Sequence, residues 1–168
     1  LEIMLTVLQN ILSFVLLVLF QVLALNNIQF LGFINPYIYI LFIIALPVKT
    51  PRWLSLILAF ILGLTIDIFS NTLGMHAFAT VLIAFLRNGI INLFIVLEEN
   101  DNPVPSFHSF GVGAYIKYLV LMVFIHHFSL FFLEAFSFAQ PGLILSKIVL
   151  SSIVTFLILL GVVSLQRK

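Results

Sequence analysis

The ionisable side chains inside the apolar stretches of this chain are few, and their spacing limits the chemistry they can share. Asp67 and His76 flank Ser70-Asn71-Thr72-Leu73, a connection short enough to bring both to one level, where a charge-assisted hydrogen bond would form. That bond serves either as a structural tie or as part of a substrate or proton site. His126, His127 and Glu134 form a second group. In a helix, His127 and Glu134 fall about 20° from one face, while His126 points about 100° away from His127. His127 therefore shares the face of Glu134 but lies too far along the axis to touch it. Neutral imidazoles hydrogen-bonded to neighbouring helices are the cheaper state in an apolar medium, with a partner interface or proton or metal chemistry as the other uses. Glu134 and Lys147 flank the turn Gln140-Pro141-Gly142, so they form an ion pair across it or snorkel separately to the membrane surface.

None of these groups sits in a catalytic pattern. There is no phosphate-binding Walker loop, no dinucleotide fingerprint and no His-Glu-x-x-His helix, and adjacent His126-His127 do not make the i, i+4 ligand face of a zinc peptidase. Ser129 and Ser137 lack a base and orienter. Cysteine is absent, which removes disulfides, thiolate catalysis and cysteine-ligated metal. The expectation is no enzyme activity, no metal and no cofactor.

The elements that must position these residues are membrane helices. The 168 residues are 63% hydrophobic and 8% charged, with mean hydropathy +1.30. A soluble domain carries about 25% charged residues, and disorder is incompatible with 19 Phe and long aliphatic runs. A net charge of +1 with scattered basic residues gives no nucleic-acid footprint. Apolar blocks and their breaks predict an all-α polytopic membrane protein, a single domain over 1–168 with spans at 3–25, 34–48, 52–69, 73–90, 114–136 and 143–165. The first block lacks a strongly basic leader and reads as a retained helix. The Asn35-Pro36 and Thr50-Pro51 pairs cap helix starts. The 34–48 span is short, which implies tilt, local thinning of the bilayer or extra turns upstream of Pro36. Residues 88–97 either continue the fourth helix or lie along the membrane surface, and 98–111 is a polar loop.

An even number of crossings puts both ends on one side together with Lys49, Arg52, Arg87, Lys117, Arg167 and Lys168, leaving Lys147 on the other. Under the positive-inside rule that first side is cytoplasmic.

Gly63-Leu64-Thr65-Ile66-Asp67-Ile68-Phe69-Ser70 followed by Leu73-Gly74-Met75-His76-Ala77 closely resembles the central hairpin of the rod shape-determining membrane protein MreD family. Gln21-Val22-Leu23 with Asn26-Asn27, Asn35-Pro36-Tyr37 and Pro51-Arg52-Trp53 extend the resemblance over most of the chain, and His126-His127 with Phe131-Phe132-Leu133-Glu134 looks like Bacteroidetes-type members. The resemblance implies a noncatalytic inner-membrane scaffold of the elongation machinery for cell shape and peptidoglycan synthesis. Its implied partners are MreC and, directly or through it, MreB, RodA and the partner transpeptidase, within membrane lipid. It also implies a compact six-helix bundle resembling the substrate-binding components of energy-coupling-factor transporters. Gly63, Asp67, Ser70, Gly74, His76 and Arg87 are the family-like positions. The family turn is often glycine-rich, whereas here Asn71 must supply the left-handed backbone. The competing function is a small-molecule binding or transport subunit with an outer polar pocket formed by Asp67, His76, Glu134 and Lys147.

Overall fold

A computed structural model of the chain describes residues 2–28, 31–96, 98, 101–135 and 140–165, without the side chains of residues 2, 3 and 6. Arg167 and Lys168, which entered the charge count, and Ser137 lie outside the described residues. The helices are α1 (Glu2–Leu23), α2 (Leu41–Ile44), α3 (Arg52–Ser70), α4 (Met75–Phe94), α5 (Phe107–Phe110), α6 (Val112–Glu134) and α7 (Pro141–Leu165). Five of them are long and apolar enough to cross a membrane, and no sheet forms among the described residues. The chain is an all-α, multi-spanning helical bundle.

Breakers set the ends of these helices. Pro51, extended at φ −53° and ψ 136°, precedes α3, and Pro141 opens α7, where a missing N–H leaves no intrahelical bond unmade. Asn71 ends α3 in the left-handed region at φ 54°, so it does supply the conformation that glycine would otherwise provide, and Gly74 repeats it at φ 81° before α4. Between those helices the backbones nearly touch. A Cβ on Gly63 would lie 2.4 Å from Ala77 Cα, so only glycine permits this approach. α4 continues unbroken to Phe94, so the surface-helix alternative for 88–97 is not adopted.

The predicted helix over 34–48 is not there. Only the single turn α2 is helical, and the rest of the segment is irregular while being almost wholly buried: Tyr39, Ile40, Ile43 and Ile44 are fully inaccessible. Pro36 has no N–H to give, and the β-branched and aromatic run Ile34 to Ile44 favours extended or irregular backbone over helix. The segment still crosses. Asn26 at its start donates to Ser70 Oγ at the end of α3 (2.9 Å), whereas at its far end Val48 N donates to Pro103 O (3.1 Å) and Lys49 N to Asn102 Oδ1 (2.7 Å). Among the described residues, five long helices therefore surround one irregular segment that also runs from one end of the bundle to the other, the central crossing.

Unpaired backbone groups in hydrocarbon cost several kcal/mol each, so irregular backbone at membrane depth survives only when protein satisfies it. The surrounding helices do this with side chains. Gln21 Oε1 accepts from Ile38 N (2.9 Å) and its Nε2 donates to Pro36 O (3.0 Å). Ser151 Oγ accepts from Asn35 N (3.1 Å), Thr155 Oγ1 accepts from Tyr37 N (3.0 Å) and Tyr118 donates to Ile44 O (3.0 Å). Arg87 Nη2 donates to Leu46 O. Gln21, Arg87, Tyr118, Ser151 and Thr155, spread over α1, α4, α6 and α7, are thus the complement of the central crossing.

The 98–111 loop contains the short helix α5, capped reciprocally by Ser106 and Ser109. Phe107 and Phe110 of α5 lie edge-on to Tyr115, with ring centroids 5.0 Å and 6.4 Å away, which holds the loop against α6.

Candidate functional site at the α3–α4 turn

Asp67 is the hub of this end of the bundle. It is 2% exposed, and its Oδ2 accepts from Ala77 N (2.9 Å) while Oδ1 accepts from His76 N (3.1 Å) and from the Thr72 hydroxyl. The carboxylate thereby caps the first turn of α4, where the helix dipole favours negative charge. His76 Nδ1 adds a contact at 3.1 Å, the pair anticipated from the short connection. Nδ1 donates to the acid, and the buried Nε2 has no partner among the described residues. Thr72 was missed by sequence reasoning. Its signal was its place in the turn, five residues after the acid and four before the imidazole, where a hydroxyl reaches both.

Behind this hub, Tyr37 and Tyr39 of the central crossing sit among the histidines. The Tyr37 ring centroid lies 5.3 Å from that of His76, 6.0 Å from His126 and 5.5 Å from His127. His126 Nε2 is 2.8 Å from the Tyr39 hydroxyl, so its partner is the irregular crossing and not a neighbouring helix. His127 does bond across helices. Its Nδ1 donates to Val123 O (2.9 Å), leaving Nε2 to accept from Thr155, 2.9 Å away on α7. Thr155 thus serves a backbone amide and an imidazole at once. Among the described residues, no three His, Asp or Glu side chains gather closely enough to hold a metal ion.

Glu134 and Lys147 form the ion pair across the α6–α7 turn, with Nζ 2.7 and 2.8 Å from the two carboxylate oxygens. The ammonium also lies 4.7 Å from the centroid of Phe131. Glu134 remains about half exposed, so this pair sits at the rim and contributes little to stability. Arg87 stands elsewhere. It is 1% exposed, beside Tyr118 and bonded to Leu46 O, so it is buried near the end that holds Lys49 and Arg52. Lys49, Arg52 and Lys117 are exposed at that end, with Arg52 over the Phe85 ring at 4.2 Å.

Where α1, α3 and α6 end and α4 begins, a cavity of about 480 Å³ opens. His76 and Glu134 line it, joined by Asn26, Asn35, Ser70 and Thr72; Asp67 acts behind the wall and Lys147 is held at the rim by Glu134. Gly63 and Asn71 shape the hairpin without lining it. Comparison of the chain with family models, curated proteins and solved structures found no match to any of them.

Proposed function

We propose that the chain is a noncatalytic scaffold of the bacterial elongation complex, an MreD-like protein of the inner membrane with both ends in the cytoplasm. In this reading it associates with MreC and, through MreC, with MreB, RodA and the partner transpeptidase. The ordered resemblance of the 63–77 hairpin and the flanking motifs is one support. The observation that carries the reading is that the buried side chains of Gln21, Tyr118, Ser151 and Thr155 are directed to the backbone of the central crossing. A six-crossing bundle of this kind is also what a likeness to the substrate-binding components of energy-coupling-factor transporters would entail.

A scaffold in lipid recognises partners by shape-matched apolar faces reinforced by isolated polar contacts. Such a surface lies between α1 and α7, where the central crossing forms the floor of a groove through Ile38, Leu41, Phe42 and Ala45. Asn10 and Ser13 supply polar contacts on its α1 wall. The exposed cations Lys49, Arg52 and Lys117 on the side of residues 49–52 agree with a cytoplasmic placement.

The direct test immobilises the full chain in mild detergent and measures recovery of MreC. Recovery that falls when Asn10→Leu and Ser13→Leu are introduced is the expected result. No recovery, with both proteins shown to be folded, removes the scaffold assignment.

A further inference from the structure

The cavity at the α3–α4 turn is not needed to satisfy the central crossing, and its chemistry is of a different kind from the lipid-facing groove. Its volume of about 480 Å³ falls within the range of small-molecule sites. Its polar groups are only partly spent on the fold. Asn26 donates to Ser70 Oγ and receives Gln21 Nε2 on its Oδ1, which leaves the Ser70 hydroxyl hydrogen without an acceptor among the described residues. Asn27 uses its Nδ2 on Leu23 O (2.9 Å), and its Oδ1 has no partner among the described residues. His76, 4% exposed, contributes to the wall with Nδ1 held by Asp67, while its Nε2 is buried away from the cavity.

Charge decides the class of ligand. Among the described residues, the one carboxylate lining the cavity, Glu134, is matched by Lys147 at 2.7 Å, and no Lys or Arg lines it. A cationic ligand would compete with Lys147, and an anionic one would meet Glu134. Amides and hydroxyls, by contrast, pair with groups that donate and accept together, while Tyr37 and Phe69 offer aromatic faces to C–H or methyl groups.

We propose that this cavity binds a small neutral group bearing both hydroxyl or N–H donors and an amide carbonyl, of the size of one acetylated amino sugar or a blocked dipeptide. The Asn27 carbonyl oxygen accepts from the ligand, and Ser70 donates to its carbonyl. This goes beyond the scaffold reading and stands or falls without it.

The test uses the full chain in lipid nanodiscs, with N-acetylglucosamine and N-acetyl-alanyl-alanine amide as neutral probes and glucosamine and acetate as charged ones. Calorimetry is expected to give saturable binding of a neutral probe, with a preference between the two separating a glycan source from a peptide source. Asn27→Leu and Ser70→Ala are each expected to weaken it by about three- to tenfold, the worth of one hydrogen bond. Gly161→Ala, which faces open space on α7, is expected to leave it unchanged. In 15N spectra the Asn27 side-chain amide resonance is expected to move on addition of the bound probe, a readout that does not depend on any variant folding. Absence of saturable binding by either neutral probe overturns the proposal, as does equal binding of the charged probes or an unmoved Asn27 amide resonance. MreC recovery is measured separately, so failure here leaves that result intact and the converse holds too.

Discussion

Gln21 is the sharpest probe of how this bundle tolerates irregular backbone in its centre. It is fully buried on α1 and satisfies two backbone groups of the central crossing, Ile38 N–H and Pro36 C=O. Gln21→Leu keeps nearly the same volume and removes both partners. Each buried backbone group left unpaired costs about 1–3 kcal/mol, so two of them predict a loss of about 2–6 kcal/mol. Proteins have only about 5–15 kcal/mol to lose. Gln9→Leu, an exposed change on the same helix, should alter stability by less than about 0.5 kcal/mol. Equilibrium unfolding in mixed micelles, followed by circular dichroism, measures both. Amide hydrogen exchange adds a local readout: the Ile38 amide should exchange faster in Gln21→Leu, with a smaller change at Tyr37, whose amide is held by Thr155. If Gln21→Leu unfolds like the Gln9 variant and Ile38 exchange is unchanged, the central crossing does not rely on side-chain partners and the account of the fold given above is wrong.

Gly63→Ala forces a Cβ to 2.4 Å from Ala77 Cα and should cost about 1–3 kcal/mol in the same unfolding assay, whereas Gly161→Ala, with open space around it, should be neutral or stabilising by up to about 1 kcal/mol. Asp67→Asn puts an amide N–H or a weaker acceptor where the carboxylate meets Ala77 N and His76 and should cost about 1.5–3 kcal/mol, with loss of protection at the Ala77 amide in hydrogen exchange. A double-mutant cycle of Glu134→Gln and Lys147→Met should return a coupling below about 1 kcal/mol, because the carboxylate is about half exposed; a larger coupling would mean that the pair is shielded from solvent.

Much of this was legible from residue types. Long apolar runs and prolines located the five long helices, because helix is the cheapest way to hide backbone in lipid and proline marks where a helix can begin. The Asp67–His76 and Glu134–Lys147 pairs followed from short connections between antiparallel helices. The left-handed Asn71 followed from a turn without glycine. What escaped was the central crossing, since an apolar run of this length reads as a helix whenever its backbone is assumed to satisfy itself. Two signals pointed the other way. Only 13 residues separate Pro36 and Lys49, about 20 Å of helix at 1.5 Å each, short of a 30 Å hydrocarbon core. Gln21, Ser151 and Thr155 also stood unexplained inside apolar helices. Each offers hydrogen bonds that a purely apolar neighbour cannot return, so together they called for an irregular strip of backbone.

Spreading the partners of one segment over helices far apart in the chain has a consequence for biosynthesis. Tyr37 leaves the ribosome 118 residues ahead of Thr155, the hydroxyl that receives its amide. At about 5–20 residues per second, the interval is about 6–24 s. Through that delay the nascent segment needs a temporary host, either the wet interior of the insertion channel or the headgroup layer, before it can settle between finished helices. Truncation before α7 would strand it there and expose the newborn chain to membrane proteases, so α7 decides the fate of the central crossing.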